Sequence, residues 1–171
     1  MKLVIFDLDQ TLVDFISVHD QATQELFKRF FGVDARLTEI DFAGRSLIDN
    51  FLELAKLKGI AENEISKNGQ ALVESYERIF GEKLPKEASD HVLPGVRRLL
   101  EELSQTDSFV VLYTGDSAGI VNRVLKATGL GKYFRFSVYG TEAPTRVGMI
   151  KLVLSCINRR YMVYYRYDES K

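Results

Sequence analysis

The sequence predicts an α/β protein in which a parallel-sheet core is interrupted by a long helical insertion. Two continuous apolar runs, residues 3–6 and 109–113, are typical of strands buried on both faces of a parallel sheet. Between them the apolar residues recur at helical spacing, and no segment has a strand-like composition. We therefore expect residues 1–14 and 91–171 to form the core domain and residues 15–90 to form a separate helical domain.

Three helices are predicted in the insertion. The first covers residues 16–31 and is followed by Gly32, a residue type that favours helix C-termini. Ser46 can cap the second helix, which is expected to end near Gly59. A third helix follows. The apolar faces of the second and third helices are Ile48, Phe51, Leu52 and Ala55, and Leu72, Val73, Tyr76, Ile79 and Phe80, respectively.

The core resumes after the insertion with alternating helices and strands. A helix over residues 96–104 follows a Pro-Gly turn, and the second apolar strand is followed by a helix that ends near Thr128. The alternation of Phe134, Phe136 and Val138 then predicts a short strand.

Two further elements are predicted before the chain ends. Thr145 can cap a helix that runs from residue 146 to about residue 157. Residues 161–165 are predicted to form a strand. Because few residues follow this strand, the C-terminal part of the core is expected to be short.

Two carboxylates follow the first strand directly. Asp7 and Asp9 are separated by one residue, and ligands of open parallel sheets bind beyond the carboxyl ends of the strands. Carboxylates this close repel each other unless a cation intervenes. A hard ion such as Mg²⁺ relieves that repulsion and can hold a phosphate, and a screened carboxylate can act as a nucleophile. The alternative is that both residues only cap the turn after the strand.

The composition permits a globular enzyme and argues against several kinds of partner. A net charge of −1 gives no electrostatic reason to expect nucleic acid or an anionic membrane as a partner. The single cysteine, Cys156, excludes an intramolecular disulfide and is typical of a reducing cytosol, so we expect a cytoplasmic protein. No segment has the pattern of a signal peptide or a membrane span. Nothing in the sequence specifies the oligomeric state.

The spacing Asp7-x-Asp9-x-Thr11 after an N-terminal strand resembles motif I of the haloacid dehalogenase (HAD) superfamily, whose members are mostly phosphatases. Members usually carry glycine where this chain has Gln10, and the change leaves both acids in place. The resemblance implies a Rossmann-like core with a helical cap domain of the C1 type. It also implies that Asp7 is the nucleophile and a Mg²⁺ ligand, and that Asp9 is the general acid/base, with its backbone carbonyl on the metal.

Two further motifs of the superfamily are matched in order. Thr114 and Gly115 end the second strand before a helix, an arrangement that can bind phosphate and resembles motif II. The resemblance assigns the transferring phosphoryl group to the Thr114 hydroxyl and the Gly115 amide. Motif III is a basic residue at a helix start. Arg146, six residues after Gly140, fits one phosphatase-like branch and can bind phosphate with two hydrogen bonds, and Lys151 is the alternative.

The fourth motif, a strand followed by Gly-Asp, is atypical. Asp168 and Glu169 are the only acids in the expected place, and the resemblance implies that Asp168 is the third Mg²⁺ ligand. The alternatives are that Asp168 lies in a frayed tail, that the C-terminus is truncated or altered, or that the chain is a degenerate member. Arg45 precedes the second cap helix, where related caps can reach the substrate, and it is a candidate for binding an anionic group. The alternative is that Arg45 is only a surface arginine.

These observations together predict a Mg²⁺-dependent phosphatase that hydrolyses a small phosphorylated metabolite through an aspartyl-phosphate. Phosphomutases use the same motifs, whereas dehalogenases generally lack the second acid of motif I. A catalytically degenerate phosphate-binding or interaction protein is the other alternative, and a response-regulator receiver is disfavoured because it lacks a helical insertion. His19 and His91 show no metal-ligand spacing and are interpreted as structural.

Overall fold

The computed structural model describes residues 2–142 and 145–161. Within these ranges the chain is an α/β protein with three strands and six helices. The strands are β1 (Lys2–Phe6), β2 (Ser108–Thr114) and β3 (Ser137–Tyr139). The helices are α1 (Ile16–Phe31), α2 (Leu47–Leu57), α3 (Glu62–Lys83), α4 (Val96–Ser104), α5 (Ala118–Thr128) and α6 (Arg146–Tyr161).

The strands form one parallel sheet in the order β1-β2-β3. Side chains of β2 alternate between its faces, so Val111 packs with α6 while Val110 and Leu112 join the larger core on the other face. β2 is therefore buried on both faces, as its apolar run predicts. The apolar residues of β1 are only half-buried, because in the described part of the chain β1 pairs with β2 alone.

The insertion forms a helical layer with its own aromatic packing. α1 and α2 both pack on α3, and α3 also contacts α5. The rings of Phe51 and Tyr76 meet edge to face with centroids 5.3 Å apart, and Phe27 packs on Phe51 at 6.0 Å. These residues belong to one continuous core with Leu12 and Val121. The division into residues 15–90 and the rest stays a prediction.

The chain enters and leaves the helical insertion through two adjacent segments. Val13 and Val92 form an antiparallel bridge, and the Asp14 N–H donates to the His91 carbonyl at 2.8 Å. The His91 ring also stacks on Phe15, with centroids 4.5 Å apart. The two crossing segments are thus held together by both backbone pairing and ring contact.

Helix ends occur where the capping residues predict them. The Ser46 hydroxyl accepts the Asp49 N–H at 3.2 Å, and the Thr145 hydroxyl accepts the Gly148 N–H at 3.0 Å. Gly32 follows α1 in the left-handed conformation that a helix C-cap requires.

The third strand and the last helix differ from the prediction. β3 begins only at Ser137, because a 3₁₀ turn over Gly131–Tyr133 precedes it and Phe134 packs against the larger core instead. α6 continues to Tyr161, so the predicted strand over residues 161–165 is wrong at its first residue, and residues 162–165 lie outside the described ranges. The helix thus runs beyond its predicted end near residue 157. Its buried positions recur every four residues, which is a helical spacing. They are Met149, Val153 and Ile157.

Candidate active site

The two acids of the first motif lie where β1 ends and the chain turns sharply. Asp7 directly follows β1, and its carboxylate accepts the Leu8 N–H at 2.9 Å. The turn closes with a hydrogen bond from the Gln10 N–H to the Val13 carbonyl at 2.8 Å, and Asp9 forms a bridge with Val13. This compact turn fixes the backbone of both acids at the carboxyl end of the strand.

Gln10 adopts a backbone conformation that glycine would adopt without strain. Its φ is +58°, in the left-handed region, which explains why glycine is usual at this motif position. The Gln10 side-chain amide donates to Asp14 at 2.9 Å, and Asp14 also accepts the Ile16 N–H at 3.1 Å. The side chain of Gln10 thus links the strained turn to the first residue of α1.

The turn after β2 is held tightly on two sides. The Asp116 N–H donates to the Thr114 hydroxyl at 3.2 Å, so the side chain of Thr114 is oriented by its own turn. The Leu47 N–H donates to the Gly115 carbonyl at 3.1 Å, and the Gly140 N–H donates to the Asp116 carbonyl at 3.1 Å. A Cβ at Gly115 would overlap the backbone carbonyl of Arg45. Only glycine therefore allows the loop before α2 to approach this turn.

A cavity of about 290 Å³ lies between the sheet end and the helical insertion. Five of the predicted site residues line it: Asp7, Asp9, Thr114, Gly115 and Arg45. Residues from α1, α2 and α3 complete the lining, among them His19, Asn50 and Tyr76. The described parts of two strand ends and three helices therefore meet at one concave site, which is typical of a ligand pocket.

His19 is the residue whose place the sequence interpretation missed. Its Nε2 lies 3.5 Å from Oδ1 of Asp9 and 3.8 Å from Oδ2 of Asp116, and its Nδ1 lies 2.9 Å from the Tyr76 hydroxyl. Asp116 was not among the predicted site residues either. The interpretation of His19 as purely structural is incomplete, because its ring lies beside the proposed general acid/base.

The three side chains shift one another's pKa values. Burial raises the pKa of Asp116 to about 8, an effect that Asp9 adds to and the charge of His19 opposes. Burial disfavours a charged His19, but Tyr76, Asp116 and Asp9 together raise its pKa well above the ordinary value. Burial also works to raise the pKa of Asp9, yet the contact with His19 and its charge outweigh burial and lower it. At neutral pH these directions place a positive charge on His19 and a negative charge on Asp9.

Two polar residues of α2 and its preceding loop face the cavity from the helical side. Nη1 of Arg45 lies 3.3 Å from Glu53, an exposed pair that contributes little to stability. Asn50 is buried, and its side-chain oxygen has no hydrogen-bond partner in the described part of the chain. An unpartnered acceptor on a cavity wall is available to a polar group of a ligand.

The remaining predicted residues lie at or beyond the edge of the described structure. Arg146 is the first residue of α6, as predicted, but its side chain is outside the description. Lys151, the alternative, is exposed on α6 and is not among the residues that line the cavity. Asp168 and Glu169 lie outside the described residues.

The chain belongs to the haloacid dehalogenase-like hydrolase family, whose model matches residues 1–148. It is 29% identical over 153 residues to a phosphoglycolate phosphatase of Vibrio parahaemolyticus, covering 84% of this chain and 62% of that protein. It is 32% identical over 156 residues to a phosphoglycolate phosphatase of Pseudomonas syringae, covering 85% of this chain and 53% of that protein. The chain thus spans between about half and three fifths of the length of these curated relatives.

Solved structures share the fold. CbbY from Rhodobacter sphaeroides, solved in complex with phosphate, superposes with a TM-score of 0.68 at 16% identity, covering 92% of this chain and 72% of that chain. A β-phosphoglucomutase from Clostridium difficile superposes with a TM-score of 0.67 at 20% identity, covering 85% of this chain and 64% of that chain. At such identities the likeness establishes the α/β fold alone. Within the described ranges, no helix has the length and apolar character needed to span a membrane.

Proposed function

We propose that this protein is a Mg²⁺-dependent phosphatase that hydrolyses a small phosphomonoester through an aspartyl-phosphate on Asp7. The observation that carries the proposal is that Asp7, Asp9 and Thr114, which come from two adjacent strand ends, line one cavity. Membership of a hydrolase family and the similarity to two phosphoglycolate phosphatases support it. Phosphoglycolate itself is the first substrate to test.

The proposed chemistry divides between the two acids. A carboxylate oxygen of Asp7 attacks phosphorus, an O–P bond forms, and the bond from phosphorus to the leaving oxygen breaks while Asp9 donates a proton to that oxygen. Asp9 then takes a proton from a water molecule that attacks the aspartyl-phosphate, which releases inorganic phosphate and restores Asp7. His19 lies beside Asp9 and stabilises its ionised form, the form needed as base in the second step. The proton for the first step then comes from the charged His19, passes through Asp9 to the leaving oxygen, and is replaced by the proton that Asp9 takes from water.

Besides the two acids, the site needs hydrogen-bond donors and positive charge for the phosphoryl oxygens. We assign the Thr114 hydroxyl and the Gly115 amide to the phosphoryl group, because both belong to the turn that the cavity exposes. We assign to Arg146, at the start of α6, the neutralisation of the phosphoryl charge. We assign to Arg45 the binding of an anionic group of the substrate on the helical side of the cavity.

Mg²⁺ is the cofactor that the family resemblance implies, and the donor set fits it. Asp7 and Asp9 bring two acids to the wall of one cavity at the carboxyl end of β1. Oxygen donors with excess negative charge are what a hard divalent ion prefers. Asp7, the Asp9 carbonyl and Asp168 would hold the ion, which would supply charge neutralisation for the phosphoryl group.

The proposal also gives a role to the helical insertion and names a partner and a location. We propose that residues 15–90 act as a cap that closes over the cavity and excludes water from the aspartyl-phosphate. The partner is a small phosphorylated metabolite. A cytoplasmic location is proposed from the single cysteine.

The direct test is release of inorganic phosphate from a panel of phosphomonoesters, including phosphoglycolate, by the full chain with and without Mg²⁺. We expect Mg²⁺-dependent release, a loss of at least about 100-fold in kcat for Asp9→Asn, and little change for the exposed control Asp41→Asn. Product analysis of a sugar phosphate separates a phosphomutase, which yields an isomer without releasing phosphate. No turnover of any ester with Mg²⁺ present would contradict the proposal and favour a degenerate binding protein.

A calorimetric Mg²⁺ titration tests the placement of the fourth motif. Asp168→Asn should weaken Mg²⁺ binding, since a carboxylate ligand is replaced by a neutral amide. Affinity that is unchanged by this substitution would show that Mg²⁺ is held by other residues. Asp168 would then lose its assigned role while Asp7 and Asp9 keep theirs.

A further inference from the structure

Three buried polar atoms face one another without hydrogen-bond partners in the described chain. They are Oδ1 of Asp9, Nε2 of His19 and Oδ2 of Asp116, and all three lie within 4.8 Å of one another. His19 is only 6% exposed, so water reaches its ring poorly. Nε2 of His19 lies 3.5 Å from Asp9 and 3.8 Å from Asp116, distances of ion pairs without a good hydrogen bond, and a bound cation would satisfy all three atoms together.

The orientation of His19 directs a lone pair or a proton toward the two acids. The Tyr76 hydroxyl donates to the His19 backbone carbonyl at 3.4 Å, and its oxygen, 2.9 Å from Nδ1, can accept from Nδ1–H. With Nδ1 acting as the donor, Nε2 of the neutral ring carries the lone pair that faces Asp9 and Asp116. A metal-binding imidazole is commonly held in this way by a partner on its other nitrogen.

The two distances from the His19 ring nitrogen to the acids fit a small transition-metal ion. Ligands about 2.1 Å from Zn²⁺ at tetrahedral to trigonal angles lie roughly 3.4–3.6 Å apart. The distances from Nε2 of His19 are 3.5 Å to Asp9 and 3.8 Å to Asp116, close to that range. An imidazole with two carboxylates is a donor set that suits Zn²⁺, whereas Mg²⁺ prefers oxygen alone.

We propose that Asp9, His19 and Asp116 form a binding site for one Zn²⁺ ion, separate from the Mg²⁺ site assigned above. The ion binds Nε2, Oδ1 of Asp9 and Oδ2 of Asp116, and the protons that His19 and Asp116 carry at neutral pH leave to solvent on binding. Zn²⁺ here occupies the Asp9 carboxylate and inhibits phosphate release. The inhibition, but not the binding, rests on the proposed function.

Competition with a chromophoric zinc chelator measures binding without any activity assay. The full chain, free of any histidine tag, should bind one Zn²⁺. His19→Gln and Asp116→Asn should each weaken binding by at least about tenfold, and Tyr76→Phe should weaken it less. His91→Gln is the matched control, since it removes the other histidine outside the cluster, and it should leave Zn²⁺ affinity unchanged. Circular dichroism checks that each variant is folded. If His19→Gln is unfolded, the result for the isosteric Asp116→Asn decides the test.

Two results would overturn the site. One is a wild-type chain that binds no Zn²⁺, and the other is a folded Asp116→Asn that binds it as tightly as wild type. Phosphate release measured with added Zn²⁺ separates the two proposals. Inhibition that disappears in Asp116→Asn supports both, whereas Zn²⁺ that binds at the cluster without inhibiting sustains the site and contradicts the assigned role of Asp9.

Discussion

The carbonyl oxygen of Arg45 occupies the space that a Cβ at Gly115 would need. The hydrogen bond from the Leu47 N–H to the Gly115 carbonyl, 3.1 Å long, fixes the same approach. The loop that leads into α2 is therefore seated on the turn that follows β2. Because both segments line the candidate cavity, its shape depends on a backbone contact between the sheet end and the helical insertion.

Gly115→Ala should disrupt this contact. The added methyl group meets backbone, which cannot rotate away as a side chain would, so we expect a loss of about 1–3 kcal/mol in the free energy of unfolding. Phosphate release should also fall, since the loop carrying Arg45 is displaced. Urea unfolding and a steady-state assay measure the two effects.

Gly69→Ala is the matched control for this substitution. Gly69 lies within α3, and a Cβ there meets nothing within 4 Å. The change should stabilise the protein by about 0.5–1 kcal/mol, the helix-propensity difference between the two residues. If Gly115→Ala behaved like Gly69→Ala, the close approach of the loop would not exist.

Gln10 offers a test of backbone strain in the first motif. Its φ of +58° is costly for any residue with a Cβ, so Gln10→Gly should be more stable than Gln10→Ala by about 1 kcal/mol. Both variants lose the hydrogen bond to Asp14, which makes their comparison independent of that bond. Thermal unfolding of the pair measures the difference, and an alanine variant as stable as the glycine variant would refute the left-handed turn.

Asp20 links α1 to the loop before α2 and should make stability depend on pH. Burial works to raise its pKa, but the Thr38 N–H and hydroxyl and the Arg36 guanidinium outweigh burial and lower it below 3.8. A lowered carboxyl pKa contributes stability above pH 3.8 that is lost as the pH falls through the folded-state value. Asp20→Asn should therefore lose about 2 kcal/mol at neutral pH, and the difference from wild type should shrink in acid.

Urea unfolding of wild type and Asp20→Asn at neutral pH and below pH 3.8 measures this dependence. Asp34→Asn is the control, because Asp34 is exposed and accepts from one neutral side chain, Gln24. We expect a small effect for the control. A difference between wild type and Asp20→Asn that stayed constant with pH would mean that the charge of Asp20 is not what Thr38 and Arg36 stabilise.

The sequence predicted the local features of the fold well, because they depend on neighbouring residues. Ser46 and Thr145 cap helices where their positions indicate, and the apolar run of β2 is a buried strand. β3 begins later than the alternation predicts, because Phe134 still caps the 3₁₀ turn over Gly131–Tyr133, and local pattern does not distinguish an extended loop from a strand.

The candidate site was predicted where a motif states it and missed where it depends on distant contacts. Asp7 and Asp9 follow β1 and Thr114 ends β2, and the sequence analysis selected them from those positions and the motifs they resemble. His19 was not, since its neighbours Tyr76 and Asp116 come from α3 and from the turn after β2, far along the chain. The acid at position 116, two residues after Thr114 at a strand end, was the one local signal that could have indicated the cluster.

The central claim is that Asp7 is phosphorylated during turnover. Acid quenching of the full chain during turnover of its best ester, followed by peptide mass spectrometry, detects a phosphoryl group and the residue that carries it. We expect it on Asp7 in the wild type, and we expect Asp7→Asn to show neither the phosphopeptide nor phosphate release while keeping the wild-type circular dichroism, since an amide is a far poorer nucleophile. Wild-type turnover by Asp7→Asn, under conditions that exclude deamidation, would contradict the account.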